Sequence, residues 1–159
     1  MIVVSDTSAI TNLLQVRQLH LLKTLFGKVV ITPQVYAELS ELEFQKTEID
    51  KLDWLSVYEA QNKQLILDLE KHLDEGEASS IVLALEMKAD YLLIDEHKGR
   101  EEAEKLGLRI TGVIGVLLRA KSEKYIDQVK PILDQLQLEA NFRIHPSLYQ
   151  RVLEIAGEE

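Results

Sequence analysis

The chain has 159 residues, of which 46% are hydrophobic, and a net charge of −9. That length suits one domain with a sizeable core, and the composition argues against disorder. No apolar run approaches the roughly 20 residues that a membrane-spanning helix needs, and the absence of cysteine excludes disulfides, thiolate metal sites and cysteine nucleophiles. A protein that grips nucleic acid mainly by its phosphates should be basic, so the acidic balance argues against a general nucleic-acid binder. The negative charge points instead to a cation site, to a surface that receives a basic partner, or to both. The opening Met-Ile-Val-Val-Ser-Asp lacks the basic start of a secretory signal, which makes the cytosol the expected location.

In chain order, Ile2-Val3-Val4 is a β-branched run that ends at Ser5-Asp6. A helix is predicted from Ser8, its expected N-cap, with Ile10, Leu13 and Leu14 on one face. A second helix carries Leu19, Leu22 and Phe26 and stops at Gly27. Val29-Val30-Ile31 reads as a strand, and Thr32-Pro33 opens a helix carrying Val35, Leu39 and Leu42, with proline in the first turn. The charged stretch from Glu43 to Asp53 has no clear pattern, and Trp54 to Tyr58 reads as an edge strand. Helices follow over Leu65–Leu73 and after Gly76. Tyr91-Leu92-Leu93-Ile94 is the continuous apolar run of a buried parallel strand, closed by Asp95. A charged helix from Lys98 to Leu106 and a strand over Leu108–Thr111 complete the alternation. From about residue 112 the chain reads as helical, with breaks near Ser122, near Pro131 and between Asn141 and Pro146. Strands separated by helices predict one α/β domain over 1–159 with a mainly parallel sheet.

In such sheets ligands bind beyond the carboxyl ends of the strands. Asp6 and Asp95 each end a strand, Glu38 lies early in the helix after the second strand, and Glu77 starts the helix that leads into the Asp95 strand. Each has an ordinary explanation by itself: Asp6 and Asp95 as helix caps, Glu38 as a solvated surface charge, Glu77 as an acid favoured by a helix dipole. Together they point elsewhere. Four carboxylates gathered in a cleft repel one another and are costly to desolvate, and a hard divalent cation such as Mg²⁺ or Mn²⁺ relieves both problems. Such an ion suits hydrolysis of a phosphodiester without any side-chain nucleophile. Asp74 and Glu75 rival Glu77, which is preferred because it directly follows Gly76. Neither GxxxxGK[ST] nor GxGxxG occurs, and Ser8 stands where an Asp-x-Asp phosphotransfer motif needs its second aspartate.

The sequence resembles the PIN-domain family, in particular a prokaryotic branch related to the VapC-like toxins. The resemblance is carried by the segments Val4–Ile10 with Leu13-Leu14, Ile31–Leu39, Leu73–Ile81 and Ala89–Glu96, then by Gly99-Arg100, Ala103–Leu108 and Thr111–Leu118, and it continues through Phe142-Arg143-Ile144 and Leu148-Tyr149. It implies a three-layer α/β fold with a parallel sheet flanked by helices, and Mg²⁺- or Mn²⁺-dependent cleavage of RNA. It makes Asp6, Glu38, Glu77 and Asp95 the catalytic acids and metal ligands, with Glu77 where many toxins carry aspartate. Glu96 is implied as an auxiliary ligand, Thr7 and Ser8 as hydroxyls that orient the acids, and Arg100 as a phosphate contact; Lys98 and His97 are expected on the solvated surface. The implied setting is the toxin half of a toxin–antitoxin pair: a homodimer held by a small antitoxin that inserts a segment into the acidic cleft. The competing reading is a PIN-like binding or assembly module without turnover.

Overall fold

Five short apolar segments make the sheet of the computed structural model, which describes residues 1–159. They are β1 (Val3–Ser5), β2 (Val29–Ile31), β3 (Leu55–Val57), β4 (Tyr91–Leu93) and β5 (Ile110–Thr111). All pair in parallel in the order β3-β2-β1-β4-β5, with Val4 opposite Val30 on one side and Leu92 on the other. Because strand side chains alternate between faces, Val3, Val29, Ile31 and Leu93 join one buried cluster, while Val4, Val30 and Leu92 join a second with Ile94.

The first cluster lies under α1 (Thr7–Gln15), α2 (His20–Phe26) and the C-terminal helices α8 (Val113–Ser122), α9 (Lys130–Glu139) and α10 (Pro146–Ala156). The second lies under α5 (Lys63–Leu69), α6 (Glu75–Met87) and α7 (His97–Lys105). Helices α3 (Pro33–Leu39) and α4 (Glu43–Asp50) complete the chain between β2 and β3. The result is the α/β fold with helices on both faces of a parallel sheet that the sequence predicts.

Helix α6 is the central crossover. Every residue from Gly76 to Ala84 is buried, because the helix packs on β1 and β4 and is flanked by α3 and α5. Its first turns carry glycine, alanine and serine, so α3 approaches closely. Thr32 and Ser79 share a hydroxyl hydrogen bond of 2.8 Å, the Thr32 hydroxyl also accepts from the Val35 amide, and the Ser80 hydroxyl donates to the Gly76 carbonyl.

The chain builds outward from β1 to β2 and β3, then returns to the other side of β1 for β4 and β5. The reversal of strand order falls at β1, and a crevice opens there beyond the strand ends. Asp6 leaves β1, and its amide donates to the Leu93 carbonyl at the end of β4, so Asp6 and Asp95 stand on the same rim.

Several boundaries differ from the sequence-based expectation. Asp6 rather than Ser8 occupies the N-cap of α1, because the chain turns into the helix as soon as β1 ends. Helix α3 stops at Leu39, leaving Leu42 exposed as the N-cap of α4, which forms in the patternless stretch by burying Gln45 and Ile49. Helix α6 begins at Glu75, so Gly76 and Glu77 lie inside its first turn, where glycine serves close packing rather than a stop. Pro131 sits in the first turn of α9 instead of breaking a longer helix.

Candidate active site

The rim carries a hollow of about 320 Å³ with no hydrophobic lining residue. It is formed by Asp6, Thr7, Ser8, Thr11 and Asn12 of the β1–α1 segment, Glu38 of α3, Asp74 and Glu77 at the start of α6, and Glu96 at the start of α7. Sequence reasoning names three of its carboxylates, Asp6, Glu38 and Glu77, and adds Glu96 as an auxiliary. It misses Thr11 and Asn12, although their spacing from Ser8 places all three on one face of a helix.

Asp6 occupies an N-cap position without a side-chain capping hydrogen bond, so the cap explanation does not account for its carboxylate. The residue is 4% exposed. Burial pushes its carboxyl up to about 7, the Thr7 amide opposes the shift, and the neighbouring Asp74, Glu38 and Asp95 add to it.

Glu77 is 6% exposed, which is incompatible with a solvated first-turn acid, and its Oε2 has no hydrogen-bond partner. Burial pushes its carboxyl up to about 8, reinforced by Asp74 and Asp6. Asp74, the rival considered from sequence, is the N-cap of α6: its Oδ1 accepts from the Glu77 amide at 2.8 Å while the residue also lines the hollow. Glu75 is exposed and does not line it.

Glu38 reaches the hollow from the last turn of α3. Its carboxyl is raised by burial and by Asp74, against the opposing effects of the Thr7 hydroxyl and the Gly76 amide. Thr7 Oγ1 approaches Glu38 without completing a well-formed hydrogen bond, and it and Ser8 Oγ are buried hydroxyls without a partner. No ion pair of the chain includes Asp6, Glu38, Asp74, Glu77 or Glu96.

Glycine permits this crowding at two points. A Cβ on Gly76 would collide with Glu38 Oε1 and lie 3.2 Å from Asp6 Oδ1; one on Gly99 would lie 2.7 Å from Glu77 Oε2.

Asp95 lies beside the hollow rather than in its lining, and its charge adds to the upward shift at Asp6. Its Oδ1 accepts from the Val113 amide at 3.0 Å, which tethers it to the start of α8, and it lines an adjoining cavity with Arg100. Its Oδ2 is buried and unpartnered. Burial raises its carboxyl, and the Val113 amide and Arg100 oppose the shift. Glu96, not Asp95, caps α7: its Oε2 accepts from the Lys98 and Gly99 amides. Arg100 donates from Nη1 to the Ile94 carbonyl at 2.8 Å. His97 pairs with Glu101 on the surface, where Lys98 is also exposed.

No three acidic or imidazole side chains are drawn together into a finished metal cage. The donor chemistry nevertheless fits a hard divalent cation. All donors are oxygens, two buried carboxylates have an unpartnered oxygen, and Mg²⁺ is held by one or two carboxylates with several waters retained rather than by an all-protein cage.

A single parallel sheet with helices on both faces and a carboxylate hollow at its strand-order reversal defines an α/β protein of the open-sheet class. A family model for the PIN domain matches residues 2–158, and the chain belongs to the PIN-domain family. PIN domains are generally nucleases, so this is a nuclease-type fold, which supports a hydrolase kind of activity. No curated protein matches the chain. No helix is long and apolar enough to cross a membrane.

Proposed function

We propose that the protein is a Mg²⁺- or Mn²⁺-dependent endoribonuclease that hydrolyses RNA phosphodiester bonds. The observation that carries this reading is the burial of Asp6 and Glu77 in one hollow with Glu38 and Asp74, with no cationic side chain paired to any of them. Such an arrangement is unfavourable in isolation and becomes favourable when a cation neutralises it.

Asp6, Glu38 and Glu77 would hold the ion, with Asp95 reaching it from the adjoining wall. The bound ion would polarise the phosphodiester and acidify a water. Deprotonated Asp6 and Glu77 would orient that water by accepting hydrogen bonds from it. Thr7 and Ser8 offer hydroxyls that fix the carboxylates, and Arg100, anchored on the Ile94 carbonyl, directs its remaining N–H groups toward a phosphate.

The biological setting that fits is the toxin half of a toxin–antitoxin pair, acting in the cytoplasm as a homodimer of this one domain. A small antitoxin would place a basic segment in the hollow, in keeping with the net charge of −9. The alternative, a PIN-like binding or assembly module, draws on that same charge and on the open spacing of the acids.

Cleavage of labelled RNA by Asp6→Asn and Asp95→Asn proteins with unchanged circular dichroism separates the two. The enzyme reading expects roughly 100-fold or greater loss in each, equivalent to about 2.7 kcal/mol of transition-state stabilisation. Undiminished cleavage in both variants rejects these acids as catalytic. Stabilisation by Mn²⁺ with no cleavage by the unmodified protein supports the module.

A further inference from the structure

The cavity on the far side of Asp95 is distinct in character from the acid hollow. It encloses about 440 Å³, within the roughly 300–1,000 Å³ of small-ligand sites. Two features set it apart in a chain of net charge −9. Its walls are apolar and aromatic, including Ile114 and the half-buried Phe142, and its polar lining includes two arginines, Arg100 and Arg143.

The candidate anion-directed groups come from separate elements, and only Arg100 is anchored. Arg100 is fixed through Nη1 to the Ile94 carbonyl, and its other N–H groups have no acceptor in the chain. Arg143 is exposed at the opposite side and forms no ion pair. Helix α8 begins in the cavity wall, where Asp95 occupies the Val113 amide but the amides of Ile114 and Gly115 have no acceptor. Gly112 lets Asp95 and Arg100 approach that end closely: a Cβ there would strike Asp95 Oδ1 and lie 3.0 Å from Arg100 Nη1.

An apolar slot with one aromatic ring, flanked by guanidinium groups and a helix start, matches a nucleotide: base against the ring, phosphate toward the arginines. The position matters as much as the lining. Asp95 lines this cavity and the next residue, Glu96, lines the acid hollow, so the two spaces adjoin. We propose that this cavity is a nucleobase-binding subsite for the nucleotide next to the scissile phosphate, with Phe142 as its stacking platform and Arg143 as its phosphate contact. The proposal rests on the ribonuclease reading and assigns the residues that select the cut position.

The test uses the whole protein in EDTA, so that binding is seen without cleavage. The four ribonucleoside 5′-monophosphates are titrated while backbone amide resonances are followed by NMR. Saturable shifts are expected at Gly112, Gly115, Phe142 and Arg143, with one base preferred. Phe142→Ala is expected to weaken binding of a short RNA containing 2-aminopurine roughly five- to hundredfold, the scale of one lost base–aromatic stack, while Phe142→Tyr retains it. Arg143→Glu, at an exposed position, tests the site without disturbing the fold. In Mn²⁺, both Phe142→Ala and Arg143→Glu are expected to raise KM and flatten the base preference at the cut.

Cleavage with unchanged KM and base preference in both variants, together with no amide shifts at the cavity, overturns the subsite and leaves the nuclease reading standing. Cavity shifts in a protein that cleaves no RNA in Mn²⁺ show a nucleotide site but overturn its place beside a scissile phosphate, together with the nuclease reading. An acidic peptide that shifts these amides where no mononucleotide does overturns the proposal in favour of a protein ligand.

Discussion

Gly76 and Glu38 meet across the contact between α6 and α3 so closely that no side chain fits between them: a Cβ at position 76 would overlap Glu38 Oε1. The glutamate end is flexible and must shift, and Asp6 Oδ1, 3.2 Å from the same point, is crowded as well. Gly76→Ala is therefore expected to cost activity far more than stability. RNA cleavage should fall roughly tenfold or more as Glu38 is displaced, whereas the melting transition should shift by no more than the about 1–2 kcal/mol typical of local overpacking. Steady-state kinetics beside thermal unfolding checks this; equal and large losses in both would show that the glycine serves packing alone.

The metal-free protein should lose stability as pH rises. Asp6 has its carboxyl raised from 3.8 to about 7 and Glu77 from 4.5 to about 8. Between the ordinary and the raised values the folded state binds protons that the unfolded state has released, so rising pH favours unfolding until the raised values are passed. Asp6→Asn removes one of these groups. In EDTA it should be more stable than the unmodified protein at pH 8, by on the order of 1–3 kcal/mol, with the difference vanishing near pH 3. Urea unfolding at several pH values measures it, and a variant less stable at pH 8 would contradict the burial argument.

Divalent metal should reverse that trend. Carboxylates release their protons when they bind a cation, so binding strengthens as pH rises. Adding Mn²⁺ is expected to raise the melting temperature more at pH 8 than at pH 6, in proportion to RT ln(1 + [Mn²⁺]/Kd). Asp6→Asn should remove most of the increase. A shift that is identical at both pH values would place the ion elsewhere on this acidic surface.

The hydroxyl pair between Thr32 and Ser79 joins α3 to α6 in a fully buried position. Thr32→Val also removes the N-cap of α3 and leaves the Val35 amide without its acceptor. It should cost about 2 kcal/mol, against about 1 kcal/mol for Ser79→Ala. The double variant should cost less than the sum, because the shared bond is lost only once.

Much of this architecture is legible in the sequence. Tyr91–Ile94 announces a buried parallel strand because both faces are covered, and Val29–Ile31 before Thr32-Pro33 announces a strand followed by a capped helix. The weak spots have physical causes. Helix α4 is set by tertiary burial of Ile49 and Gln45, which no periodicity in that charged stretch reveals. Asp74 looks like a simple N-cap and is one, yet its carboxylate also faces the hollow, and a dual role leaves no mark on spacing. Asp95 stands at its strand end as expected, but its tether to Val113 depends on where α8 begins relative to β4, a distance fixed only in three dimensions.

The strand order has a consequence for how the molecule comes into being. Asp6 is made before β4, and β4, which carries the chain to Asp95, pairs with β1 only after two other strands have been made. Until that late pairing, Asp6 lacks Asp95 on the far side of the rim and α6 has β1 but not β4 to pack on. A ribosome-bound chain that has not reached β4 thus carries only one side of the rim, without Asp95.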